Sequence, residues 1–135
     1  GKIDMPHSIL YKPAPLNDQE WSVMRTHPRV GYDMIRNVPS LEGAAEIVLS
    51  SHEAYNGSGY PRGLSGNNIP IGARILSIAD SYDSMTRPHT QRPAMQPAHA
   101  MAEIERCAGT QFDPQVVDAL AGVMIHAGDD EVVTQ

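Results

Sequence analysis

The stretch Ser51-His52-Glu53-Ala54-Tyr55-Asn56-Gly57-Ser58-Gly59-Tyr60-Pro61 decides how this chain is read. Upstream of it, Leu41, Ala44, Ala45, Val48 and Leu49 recur at the three-and-four spacing of a helical face. That places His52 within or just beyond the last turn of a helix. Downstream, Gly57, Gly59, Gly63, Gly66, Pro61 and Pro70 break any helix between 55 and 70 and predict an ordered loop. Loops of such length in a compact domain are usually functional or disordered. From Ile71 to about Met85 the helical period returns, with Ile71, Ile75, Ile78 and Tyr82 on one face. Asp80 sits in that apolar run, and a carboxylate buried there must be paired, hydrogen-bonded or metal-bound.

Outward from this centre the chain reads as short helices punctuated by eleven Gly and eleven Pro. Lys2 to Leu16 is turn-rich, with room for a helix at about Ser8–Lys12. Asn17-Asp18-Gln19-Glu20 is a capping box, and Trp21 and Met24 give the helix behind it an apolar side. Pro28 suits a first helical position, so His27 lies at or beside the next N-cap, and that helix runs to about Asn37. A breaker cluster from Pro88 to Pro97 precedes a helix at about Ala98–Cys107. Asp113-Pro114 opens the last helix, which is expected to reach about His126. No alternating strand pattern is present. The predicted fold is all-α: a compact single-domain helical bundle over residues 1–127, followed by an acidic, frayed tail at 128–135.

In a chain of 135 residues with 5% aromatics, aliphatics and seven Met must carry the core. The formal charge of -6 argues against nucleic-acid binding, which needs a basic face, but leaves room for a small anionic ligand met by a few local cations. No apolar stretch is long enough for a membrane span, and no signal peptide is visible. The single cysteine, Cys107, excludes an internal disulfide and fits a reducing cytoplasm; its simplest reading is a small buried hydrophobe on a helix.

In order and spacing, several motifs resemble the HD-GYP domain, a branch of the HD phosphohydrolases that cleave cyclic di-GMP at a site of two or three metals. These are Gly1-Lys2-Ile3, Thr26-His27-Pro28 with Gly31, His52-Glu53, Gly57-Ser58-Gly59-Tyr60-Pro61, Ala79-Asp80-Ser81-Tyr82-Asp83 and Ala108-Gly109-Thr110-Gln111-Phe112-Asp113-Pro114. The resemblance implies that His27, His52 and Asp80 are metal ligands, working or vestigial; imidazole and carboxylate suit iron, manganese, nickel or zinc. It implies that Lys2, Arg74 and Arg92 stand by ligand phosphates, and that Gly59, Tyr60 and Pro61 form a surface for partners such as GGDEF-type diguanylate cyclase domains. Plainer readings stand beside these. His27 alone reads as an N-cap histidine, Arg74 as a helix-surface salt bridge, and Lys2 as a solvent-exposed chain end. The loop's glycines and Pro61 equally serve to turn the backbone while Tyr60 packs its ring on the domain.

The departures from the family pattern are specific. Ser51 stands where the family has the first of two consecutive histidines, Asn56 where it has an aspartate, and His89 where it has a cation. The family's His-Asp pair is expected just before Gly1. The resemblance therefore implies an HD-GYP-type metal-dependent phosphodiesterase domain with too few donors for two bridged ions, inactive in this form. Two alternatives are a non-catalytic nucleotide- or partner-binding signalling module, and a helical remnant that self-associates to cover an exposed apolar face.

Overall fold

The computed structural model describes residues 5–88 and 93–130. Within them the chain forms α1 (His7–Leu10), α2 (Asp18–Met24), α3 (His27–Ile35), α4 (Glu42–Ser50), α5 (Ile71–Thr86), α6 (Pro97–Arg106) and α7 (Pro114–Asp130), with a 3-10 turn at Gly66–Asn68. The only β pairing among the described residues is two isolated bridges, Asn56 with Ser65 and Ala108 with Phe112, so the all-α expectation holds. No helix among them is long and apolar enough to cross a membrane.

Local chemistry accounts for most of the helix boundaries. At α2 both capping-box bonds form: Glu20 N–H donates to Asn17 Oδ1 at 2.9 Å and Asn17 N–H to Glu20 Oε2 at 2.8 Å. His27 is the first residue of α3, behind Thr26 and ahead of Pro28. Helix α4 ends at Ser50, leaving His52 just past its last turn. Helix α7 passes its expected end near His126 and runs to Asp130. A single Gly in a helix costs only about 1 kcal/mol relative to Ala, so Gly128 is a weak stop.

Helix α5 is the central element. Its C-terminal half packs Ile78 against Ile104 of α6 and Phe112 and Val117 around the start of α7, with Tyr82, Met85 and Met101 bordering them. Each large apolar side chain fully buried there contributes about 1.5–3 kcal/mol. Its N-terminal half meets α4, where Gly72 lets Ile47 approach so closely that a Cβ would lie 2.5 Å from Ile47 Cδ1. Ala73 beside it is fully buried. The apolar face read along α5 is covered over only part of its length: Ile78 is buried, but Ile71 and Ile75 are 55% and 51% exposed. All three lie on the same helical face, yet α6 and α7 cover only the second half of it. Cys107, expected on a buried helical face, is instead the half-buried C-cap of α6.

Candidate functional site

The sequence between His52 and Leu64 folds back on itself because Glu53 accepts from the loop backbone. This carboxylate, 4% exposed, takes Arg62 N–H on Oε1 at 2.7 Å and Leu64 N–H on Oε2 at 3.0 Å. Arg62 in turn reaches α4, its guanidinium donating to Ser50 Oγ at 2.6 Å and Glu46 Oε2 at 3.2 Å. Tyr60 N–H donates to the His52 carbonyl at 3.0 Å. The turn is tight enough that a Cβ on Gly59 would lie 2.2 Å from the Ala54 nitrogen, so the Gly of Gly-Tyr-Pro is required by close backbone approach. The Tyr60–Pro61 peptide is cis.

This fold-back stacks the Tyr60 ring on the His52 imidazole, with centroids 5.1 Å apart and planes within 4°. Burial raises the Tyr60 hydroxyl above its ordinary value, opposed by the nearby Arg25 charge, so the ring is neutral at ordinary pH. His52 meets buried His27 edge-on, Nε2 to Nε2 at 2.8 Å. His27 Nδ1 lies 2.6 Å from the Met24 carbonyl, which can only accept, so Nδ1 carries the proton. In the neutral pair, His27 Nε2 therefore accepts and His52 Nε2 donates. The α2–α3 corner thus brings together two imidazoles far apart in the chain.

Beside His52 opens a cavity of about 730 Å³, within the range of small-molecule sites. Ser77, Asp80, Ser81 and Ser84 line it from one face of α5, and Glu103, Cys107, Thr110 and Gln111 line it as well. Asp80 is exposed to this space rather than enclosed by apolar side chains as its sequence context predicts. The cavity's charged lining, among the described residues, is Glu53, Asp80 and Glu103, all acidic. A hydrogen bond from Arg106 holds the Glu103 carboxyl below its ordinary value.

Of the expected phosphate cations, Arg74 is held away from the cavity. Arg74 bonds Asp113 Oδ2 at 2.6 Å and Asn67 Oδ1 at 3.0 Å, and Asp113 is 2% exposed. Arg74 is not part of the cavity wall. Its ion pair joins α5 to the start of α7, where Asp113 Oδ1 also accepts from Gln115 N–H. Lys2 and Arg92, with His89, lie outside the described residues.

Divalent metal is implied by the HD resemblance, and the donors present test that implication. The facing imidazoles of His27 and His52 offer nitrogen donors of a kind such an ion takes. Among the described residues, however, no group of three or more His, Cys, Asp or Glu lies together to hold one. Ser51 turns its hydroxyl back onto the Val48 carbonyl at 2.9 Å, and Asn56 Oδ1 is occupied by the N–H and hydroxyl of Ser58. The described residues fit only part of a metal-binding set, and no hydrolytic step follows from them alone.

Sequence reading did not single out Glu53 as the loop's anchor or Arg25 as the cation over Tyr60. The first had a signal, an acid directly before a glycine-rich loop full of backbone donors. The second had none.

Comparison with known proteins places this geometry in context. The family model described as HD domain matches residues 1–116. The chain is 43% identical over 124 residues to the cyclic di-GMP phosphodiesterase response regulator RpfG of Xanthomonas campestris, covering 89% of this chain and 32% of that protein. It is 41% identical to a cyclic di-GMP phosphodiesterase of Thermotoga maritima, covering 88% of this chain and 33% of that one. This chain spans about a third of the length of these two relatives. In fold it is similar to a cyclic GMP-AMP-specific phosphodiesterase of Vibrio cholerae, with a TM-score of 0.67 and 22% identity over 87% of this chain and 31% of that one.

Proposed function

This chain belongs to the HD-domain family, and from that premise we propose that it is the HD-GYP-type domain of a cytoplasmic cyclic di-GMP phosphodiesterase with a reduced metal centre. The nucleotide occupies the cavity beside His52 and Asp80, and the 135 residues alone do not turn it over. The observation that carries this reading is that His52, which meets His27 through Nε2, lines one cavity with Asp80, while the neighbouring Ser51 hydroxyl is bonded to Val48. His27, His52 and Asp80 are the donors that a divalent ion would draw on.

Charge sets a second requirement. A dinucleotide with two phosphates is opposed by the acidic lining, so binding needs cations. We assign that role to Lys2 and Arg92 and to the divalent ion, leaving Arg74 to hold Asp113. Calorimetry with cyclic di-GMP in Mn and in chelator tests this. Heat of binding is expected with Mn, reduced in chelator and in Arg92→Ala; equal affinity in all three refutes it. The 3'3'-cyclic GMP-AMP nucleotide is the comparison ligand. Metal analysis and turnover assays with added Mn or Fe test the reduced centre. Two tightly bound ions with hydrolysis by this chain would overturn it.

A second reading is favoured by the exposed stripe Ile71, Ile75 and Leu76. It is a protein-binding role, as a homo-oligomer or with a GGDEF-type domain engaging the loop at Gly59, Tyr60 and Pro61. Light scattering is expected to report a dimer or larger; a strict monomer removes the self-association arm.

A further inference from the structure

Beside the His27–His52 pair lies a second set of contacts that the proposed function does not use. Arg25 is the C-cap of α2, two residues before His27, and its guanidinium carbon lies 5.7 Å from the centroid of Tyr60 and 6.0 Å from that of Trp21. Tyr60 stacks on His52 and is tied to it by its own N–H on the His52 carbonyl. His52 closes onto His27. The α2–α3 corner therefore grips the loop twice, through Arg25 on Tyr60 and through His27 on His52, and the loop links Tyr60 to His52 between those grips.

We propose that Tyr60 and Arg25 are positioning residues for the His52 imidazole: the tyrosine ring fixes the imidazole plane, and the arginine holds the tyrosine ring. The chemistry explains why both are needed. The His52 imidazole lies just beyond a helix end and meets His27 through its Nε2 edge. A parallel aromatic neighbour bears on the face of the same ring and so favours one orientation of its plane. A guanidinium over the tyrosine face opposes departure of that ring toward solvent. The benzene ring, not the hydroxyl, does this, so phenylalanine suffices.

This inference rests on the reading that the His27–His52 pair serves the cavity, but its test reads the imidazoles directly, without metal, nucleotide or activity. Long-range proton–nitrogen NMR spectra of the 15N-labelled chain report the tautomer and ring-proton shifts of each histidine. In the unaltered chain, His52 is expected as the Nε2–H form with ring protons displaced by the Tyr60 ring current. Tyr60→Phe is expected to preserve both signatures. Tyr60→Leu should move the His52 ring protons to ordinary values and lower the aligned population by up to roughly tenfold. His27 should keep its Nδ1–H signature, because the Met24 carbonyl remains. Arg25→Ala alters an exposed side chain that can be removed without loss of the fold, and it should move His52 in the same direction by a smaller amount. His52 spectra unchanged in Tyr60→Leu and Arg25→Ala, or equally changed in Tyr60→Phe, would overturn the proposal. Should Tyr60→Leu not fold, Arg25→Ala against Tyr60→Phe decides the matter. Failure of cyclic di-GMP or metal to bind would leave these spectra as they are and would count only against the proposed function.

Discussion

Replacing Glu53 by Gln isolates the bond pattern that shapes the loop. The two side chains have nearly the same volume, so no cavity term enters. Glu53 accepts two backbone N–H bonds, from Arg62 at 2.7 Å and Leu64 at 3.0 Å, one on each oxygen. Gln keeps one oxygen and places an amide NH₂ at the other, so one bond becomes neutral and the second becomes donor against donor. Bonds to a charged acceptor are worth about 1.5–3 kcal/mol each and neutral ones about 1. The gross loss is then about 2–5 kcal/mol. The loop can open partly to water at Arg62, which is exposed, so the lower end applies, about 2 kcal/mol. For a domain of this size that shifts Tm by about 6–10 °C. Thermal melts followed by circular dichroism measure it, and amide exchange at Arg62 and Leu64 assigns it to the loop. A Tm within about 2 °C of the unaltered chain, with exchange at both amides unchanged, would refute the role of Glu53.

Gly59→Ala forces a Cβ to within 2.2 Å of the Ala54 nitrogen, a backbone atom that cannot yield cheaply. A loss of about 3 kcal/mol and faster proteolysis within the loop are expected, and an unaltered cleavage rate would count against the close approach. Arg74→Met leaves the buried Asp113 carboxylate without its ion partner, at a cost of about 3 kcal/mol in urea denaturation. The double variant Arg74→Met, Asp113→Asn should recover part of this, because the asparagine leaves no unpaired charge buried at that position. Hydrogen bonds from Lys12 to Glu20 and from Arg106 to Glu103 lower those carboxyls from the ordinary 4.5. Their stabilisation is present above that value and lost as pH falls through the folded-state values. Tm should therefore decline below about pH 4.5, less so in Glu20→Gln, and identical acid limbs for the two proteins would disprove the Glu20 contribution.

Helix positions, the capping box at Asn17 and Glu20, the breaker-rich loop and the HD-GYP resemblance could all be read from the chain, because each depends on residues close in sequence. The fold class followed from them. The site was legible only in part. His27 and His52 were named from motif, but their Nε2 contact depends on how the α2–α3 corner packs against the loop after α4. Arg74 carries the same charge whether it faces a phosphate or an aspartate, and the packing of α5 against the start of α7 directs it to Asp113. Ile75 and Ile78 share a helical face by period, yet differ in burial because α6 and α7 reach only one of them. Periodicity and capping are properties of neighbours along the backbone. Which side chains meet across the bundle depends on how far each helix extends over the next, and that is set by interlocking volumes such as Gly72 against Ile47.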